Sequence, residues 1–252
     1  MDKIAIISGR YPSTIFDSVT NHKIYADRHK YHYVHCNWPT GEVNRYFNKI
    51  RYILYYFDFF DYIIWLDDDA FFWDLEKDIM DYAPKNDKFL SICKSPNFKS
   101  LKTYFSSGQF ILKTNNIANE FLNSVLTLEM AIVKQWWNDD LGYFTNGDQD
   151  LMTFLSIEDS RFVNGITLHE YEKFNSRIQN LDSQDIHNPL ILHFTGTVEL
   201  KREDYLQVQK KFDLPPSLIS HNILSSYNIV TNTNKKSLKD KIVAKLKSWL
   251  RG

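Results

Sequence analysis

The sequence predicts an α/β fold in one domain: a mostly parallel central sheet flanked by helices, with a basic amphipathic helix at the C-terminus. Three observations predict it. Short β-branched runs alternate with helix-period segments over residues 1–70, the pattern of strands joined by crossover helices. The apolar run "YIIWLDDDAFFW" at 62–73 carries three consecutive carboxylates, as a strand does when it ends at a ligand-binding edge. Residues 235–252 differ from all that precedes them, with seven Lys/Arg facing the single acid Asp240.

The elements follow in order. "KIAIIS" (3–8) is a strand stopped by the turn signal "GRYPS", 18–28 reads as a helix, and "YHYVHC" (31–36) as a second strand. Over 41–60, Val43, Phe47, Ile50, Leu54 and Phe57 recur every three or four residues, which predicts an amphipathic helix. "YIIWL" is the third strand; "FLSICK" and "GQFILKT" are the fourth and fifth. Residues 115–135 read as one helix with Ile117, Phe121, Val125, Leu128 and Ile132 on one face. "NGDQDLMTFLSI" is a loop feeding a helix, with Asp148 placed to cap it, and "GITLHE" and "PLILHFTG" are two more strands. The globular domain is expected over 1–212, a Pro/Ser/Asn-rich tether over 213–234 and the basic helix over 235–252.

Charge argues against a nucleic-acid partner, because 30 Lys and Arg nearly balance 31 Asp and Glu. The 15 Tyr, 18 Phe and 6 Trp are a high aromatic content, suited to core filling, the reading for most of them, and also to stacking on bases and sugar faces. Cys36 and Cys93 form no disulfide framework, the N-terminus starts a strand without a signal-peptide pattern, and no apolar run is long enough to span a bilayer. The expectation is a cytoplasmic protein.

The acids at 67–69 pose the chemical question, since buried carboxylates are costly without a cation. In an extended chain Asp67 and Asp69 point the same way and Asp68 points elsewhere. Two convergent carboxylates beside an apolar wall suit a hard divalent ion such as Mg2+ or Mn2+, and the bland alternative is a strand-end loop whose acids face water. His193, ending "PLILHFTG", is the candidate third ligand.

With these motifs in place, "WLDDDAFF" resembles the DxD motif of GT-A glycosyltransferases. The likeness is strongest to the fungal α-galactosyl- and α-mannosyltransferases and plant xyloglucan xylosyltransferases. "YADRHKYHY", "NKI", "SSGQFILKTN", "NGDQDLMTFL", "FNSR" and "ILHFTG" resemble further motifs of that family, in the same order, over about residues 3–200. Asp68 stands where a small residue is usual, and Ser107 where Asn is common.

The resemblance implies a metal-dependent hexosyl- or pentosyltransferase. Its donor would be a nucleotide sugar, UDP-linked by preference, its acceptor a glycan or lipid-linked glycan, and its product would retain the α configuration. Asp67, Asp69 and His193 would hold Mn2+ or Mg2+. Gly196 and Lys201 would meet the diphosphate, and Lys49 would lie near the phosphates. Asp148, Gln149 and Asp150 would face the donor sugar, with Gln149 near the anomeric carbon. Ser8, Arg10, Tyr11, Asp67, Asp68 and Gly108 would border the nucleotide. "QWWNDD" (135–140) is either an acceptor-stacking surface or a core plug.

In the tail, Leu238, Ile242, Leu246 and Trp249 form a stripe opposite the lysines, suited to an anionic membrane surface at the inner face of the cell membrane or to packing on the body. Two rival functions remain at this level. One is a haloacid-dehalogenase-type phosphatase using "DDDAF", which puts Phe71 where Thr or Val is required; the other is a non-catalytic carbohydrate-binding module. Donor sugar, acceptor, oligomeric state and stereochemistry are not encoded in any motif; an inverting enzyme would need a carboxylate base, for which Asp148 or Asp150 is the candidate.

Overall fold

The parallel start is as predicted. The computed structural model describes residues 2–12, 14–97, 102–181 and 188–230. β1 (Ile4–Gly9) pairs in parallel with β2 (His32–Cys36) on one side and with β3 (Tyr62–Leu66) on the other. The connections are α1 (Ser18–His29) and α2 (Asn48–Tyr56), the latter flanked by single 3-10 turns at Arg45–Phe47 and Phe57–Phe59. Ile63, Ile64, Trp65 and Leu66 are all buried, as a strand covered on both faces must be.

The sheet is completed in the order β2-β1-β3-β6-β5-β7 by β5 (Leu90–Lys94), β6 (Phe105–Lys113) and β7 (Ile166–His169). Only β6 runs against the rest: it is antiparallel to both β3 and β5, while β5 and β7 are parallel. A second, two-stranded sheet pairs β4 (Ala70–Phe72) with β8 (Ile191–His193) in antiparallel register, Ala70 opposite His193. The "PLILHFTG" strand therefore pairs with "AFF", a strand whose three residues are too few to show a period.

The helix expected over 115–135 is two: α3 (Asn116–Thr127) and α4 (Met130–Trp136). Leu128 and Glu129 are extended between them, and the Thr127 hydroxyl donates to the Asn123 carbonyl, a local bond that competes with helix continuation. Ile132 is accordingly exposed, and α4 buries Val133 instead. Both tryptophans of "QWWNDD" pack against the main core: Trp136 Nε1 donates to Glu158 (2.9 Å) and Trp137 Nε1 to the Gly142 carbonyl (2.8 Å).

α5 (Asp148–Glu158) starts one residue earlier than a cap at Asp148 allows. Asp148 is the first helical residue, and the capping carboxylate is Asp150, which accepts from Thr145 N (3.1 Å), Thr145 Oγ1 (3.0 Å) and Gly147 N (3.3 Å). α6 (Val198–Phe212) is capped by the Thr197 hydroxyl, which accepts from Leu200 N (3.3 Å). A second aromatic core of Phe71, Phe194 and Tyr205 fastens β4 and β8 to α6.

The described residues divide after Leu218 into two compact units, the second containing α7 (His221–Ser226). The basic helix expected over 235–252 lies outside the described residues. Among the described residues no helix is long and apolar enough to cross a membrane. Cys36 and Cys93 are buried free thiols.

Candidate active site

Asp67–Asp69 follow directly on β3, but the backbone there is a turn, closed by the Ala70 N–H donating to the Asp67 carbonyl (3.1 Å). The turn, and not an extended alternation, sends Asp67 and Asp69 to one point and Asp68 to another. β4/β8 pairing then delivers the third group. With Ala70 opposite His193, and Phe194 N donating to the Asp69 carbonyl (2.9 Å), one ligand atom each from Asp67, Asp69 and His193 lie within 4.8 Å of one another.

Each acid of the triplet also has its own basic neighbour, so part of the answer to their desolvation is protein. Lys49 Nζ lies 3.4 Å from Asp67, Arg10 Nη1 lies 3.6 Å from Asp68, and Lys201 Nζ is ion-paired to Asp69. Burial opposes charge on Asp69, and the Lys201 ammonium is the largest of the causes that nevertheless hold its pKa below the carboxylate range. Asp68 goes the other way: burial, then the neighbouring Asp69 charge, push its carboxyl up, against the hydrogen bond from Thr14. Trp65 Nε1 donates to Asp67 Oδ1 (2.7 Å), which fixes the one acid of the three that faces solvent.

The His193 ring is oriented by a group the sequence reading did not assign. Asn175 donates through Nδ2 to the Lys94 carbonyl (3.0 Å) and accepts at Oδ1 from the Arg177 guanidinium, so its amide has one orientation. Oδ1 must then accept from His193 Nδ1–H, 3.0 Å away. Burial lowers the His193 pKa, against the pull of Asp69, which favours the neutral ring; with its proton on Nδ1, the neutral ring carries a lone pair at Nε2. That lone pair points at Asp69 Oδ1, 3.3 Å away, an oxygen that is buried with no hydrogen-bond partner. Two acceptors face to face are repulsive unless a cation sits between them. The donor set, two carboxylate oxygens and one imidazole nitrogen, fits a Mn2+-type ion, with Asn175 as the outer group that sets the tautomer.

Gly108 on β6 belongs to the same point. A Cβ there would lie 2.6 Å from His193 Cε1, 3.0 Å from Nε2 and 3.3 Å from Asp67 Oδ2. Only a residue without a side chain leaves the ring in place.

Two clefts meet at this centre. The first, about 390 Å3, is lined by Gly9, Arg10 and Tyr11 after β1, by Val43–Lys49 apart from Phe47, and by Tyr52, Trp65, Asp67–Asp69 and Lys201. The second, about 490 Å3, is lined by Gly108, Asp148, Gln149, Arg177, His193, Gly196 and neighbours; Tyr46, Lys49, Asp67 and Lys201 border both. Lys49 joins them, lying 3.1 Å from Asp148 and donating to the Ser107 carbonyl (2.7 Å). Burial works against the Lys49 charge, and Asp148 and Asp67 outweigh it, so the ammonium is retained. Burial raises the Asp148 pKa, against the pull of Lys49. Gln149 Oε1 accepts from Ser107 N (3.0 Å), which settles the amide against β6.

Most of the residues singled out from sequence thus converge: Arg10, Tyr11, Lys49, Asp67, Asp68, Asp69, Gly108, Asp148, Gln149, His193, Gly196 and Lys201 all line the two clefts. Two do not. Ser8 is buried with its hydroxyl 3.0 Å from that of Tyr33, and Asp150 is committed to the cap of α5. Asn175 and Arg177 lay in the quoted "FNSR" stretch, but nothing in four residues reveals a hydrogen bond to a histidine 18 positions on.

No protein-family model matches the chain, and no curated protein matches its sequence. Solved structures do. A glycosyltransferase involved in the glycosylation of the major capsid of PBCV-1 superposes with a TM-score of 0.59 at 14% identity, over 81% of this chain and 99% of that one. The fold is GT-A-like. The apo-form glycosyltransferase GlyE of Streptococcus pneumoniae TIGR4 superposes with a TM-score of 0.53 at 14% identity, covering 90% of this chain and 63% of that one. At such identity the likeness extends to architecture and to no residue's role.

Proposed function

We propose that the protein is a metal-assisted glycosyltransferase that moves a hexose or pentose from a nucleoside-diphosphate sugar, UDP-linked by preference, to a glycan or lipid-linked acceptor with retention of the α configuration. One observation carries the reading: the lone pair of neutral His193 Nε2 faces the unpartnered Asp69 Oδ1 at 3.3 Å, beside Asp67, where two clefts join. The glycosyltransferase fold of the neighbours supports it.

In this reading Asp67, Asp69 and His193 hold the divalent ion, which when bound supplies charge neutralisation to the departing diphosphate. The first cleft takes the nucleotide, with Arg10 and Tyr11 at its base end. Lys201 presents a second positive charge to the phosphates, and Gly196 lets the backbone approach them. The second cleft takes the sugar. Asp148, its carboxylate held by Lys49, accepts from sugar hydroxyls, and the Gln149 amide offers a neutral dipole to the charge that develops at the anomeric carbon. Asp150 is a positioning residue for α5.

Incubation with Mn2+ and a panel of nucleotide sugars tests this against its rivals. Slow release of UDP or GDP supports transfer; inorganic phosphate released from phosphomonoesters supports a phosphatase; release of neither supports a binding module.

A further inference from the structure

The second cleft holds a cation to which the reading above gives no role. Of the three basic side chains lining it, Lys49 is paired with Asp67 and Asp148, and Lys201 with Asp69. Arg177 has no carboxylate within 4 Å among the described residues, and it is only 6% exposed. The guanidinium's hydrogen bonds all leave from Nη1, to the Asn175 carbonyl and side-chain oxygens and, at 3.5 Å, to the Ser176 carbonyl. Nε and Nη2 have no acceptor among the described residues.

We propose that the second cleft binds an acidic group of the acceptor, a carboxylate or a phosphate, on the free edge of the Arg177 guanidinium. The proposal rests on the glycosyl-transfer reading and adds the acceptor's chemical class to it. The Asp69 charge reaches Arg177 only from beyond 4 Å, and a buried cation without a carboxylate in contact is costly, so a substrate that brings a contacting acid recovers that cost on binding. Burial lowers the Arg177 pKa only to about 10, so the side chain stays charged at neutral pH. The fork of Nε and Nη2 matches two oxygens of one acid, as an ammonium does not. Ser95, Thr103 and Thr195 supply hydroxyls in the same cleft.

Position separates this anion from the donor's diphosphate. The first cleft, which contains Arg10, Asp67–Asp69 and Lys201, does not include Arg177. Lys201, common to both clefts, marks the phosphate end, and Arg177 lies on the sugar side of that junction.

The test uses the full chain with Mn2+ and saturating UDP, so that the diphosphate position is filled. D-glucuronate, glucose 6-phosphate and D-glucose are compared by isothermal titration or ligand-observed NMR. The two acids are expected to bind at least about tenfold more tightly than D-glucose, the value of one charge-assisted hydrogen bond. That preference is expected to vanish in Arg177→Met and to shrink in Arg177→Lys, which keeps the charge and loses the fork; if Arg177→Met fails to fold, the lysine variant decides. Equal binding of all three sugars overturns the proposal, as does a preference that survives the variants. Competition of the acids with UDP also overturns it, by assigning Arg177 to the diphosphate. If UDP and Mn2+ bind while the acids show no preference, the acceptor inference alone falls. If no nucleoside diphosphate binds, the glycosyltransferase reading falls, and the acid preference measured without UDP still decides the anion site.

Discussion

His193 Nε2 lies 3.3 Å from Asp69 Oδ1, and neither atom has a proton to place between them, because the Asn175 side chain claims the only ring N–H at Nδ1. A cation at that point would relieve the repulsion between the two acceptors. Asn175 is therefore a positioning residue whose loss frees the ring to change tautomer. Asn175→Ala is expected to lower Mn2+ affinity by roughly tenfold or more, the usual effect of removing a group that orients a ligand. Titration with Mn2+ measures it; unchanged affinity would show that the tautomer is set elsewhere.

Gly108 tests the same centre sterically. Gly108→Ala puts a methyl 2.6 Å from His193 Cε1, so ring or strand must shift. The expected cost is about 1–3 kcal/mol of stability, together with weakened Mn2+ binding. A Gly108→Ala protein that melts and binds Mn2+ like the parent contradicts the packing described.

The two carboxylates of α5 separate by role. Asp150→Ala removes three cap hydrogen bonds and is expected to lower stability by about 1 kcal/mol with little change in donor turnover per folded molecule. Asp148→Asn keeps the side-chain shape while removing the charge that Lys49 holds in the second cleft, and is expected to abolish most donor turnover. Thermal melts alongside nucleoside-diphosphate release distinguish them, and the reverse pattern contradicts both assignments.

His22 predicts a pH dependence of stability. It is fully buried on α1, donates through Nε2 to the Ala70 carbonyl (2.6 Å), and its pKa falls from 6.5 to about 4, chiefly through burial. The unfolded chain takes up the proton first, so this group's stability contribution is full above pH 6.5 and is lost as pH falls toward 4. Between pH 7 and 5 the loss is about 2 kcal/mol. Denaturant melts across that range, in the parent and in His22→Gln, check it: the slope is expected to be shallower in the variant, and equal slopes contradict it.

Much of this was legible in the sequence because it is local. "YIIWLDDD" announces a buried strand ending in acids, and the alternation around it fixes a parallel half-sheet. What was hidden is relational. The antiparallel direction of β6 and the pairing of Ala70 with His193 depend on contacts between distant segments, and no period in either segment encodes them. Asp148 was read as a cap because it stands before an apolar run. The structure moves that duty to Asp150, since the chain enters the helix through Gly147. Asn175 and Arg177 stand in the "FNSR" stretch, but nothing there reveals their roles, which lie in what Arg177 leaves unpaired and what Asn175 orients.

The central claim is that Asp67, Asp69 and His193 bind one divalent ion on which nucleotide binding depends. Calorimetric titration of UDP into the protein with Mn2+, with chelator, and into Asp69→Asn tests it most directly. The account predicts binding in the presence of Mn2+ that drops at least tenfold with chelator and in the variant. Equal affinity in all three would contradict it.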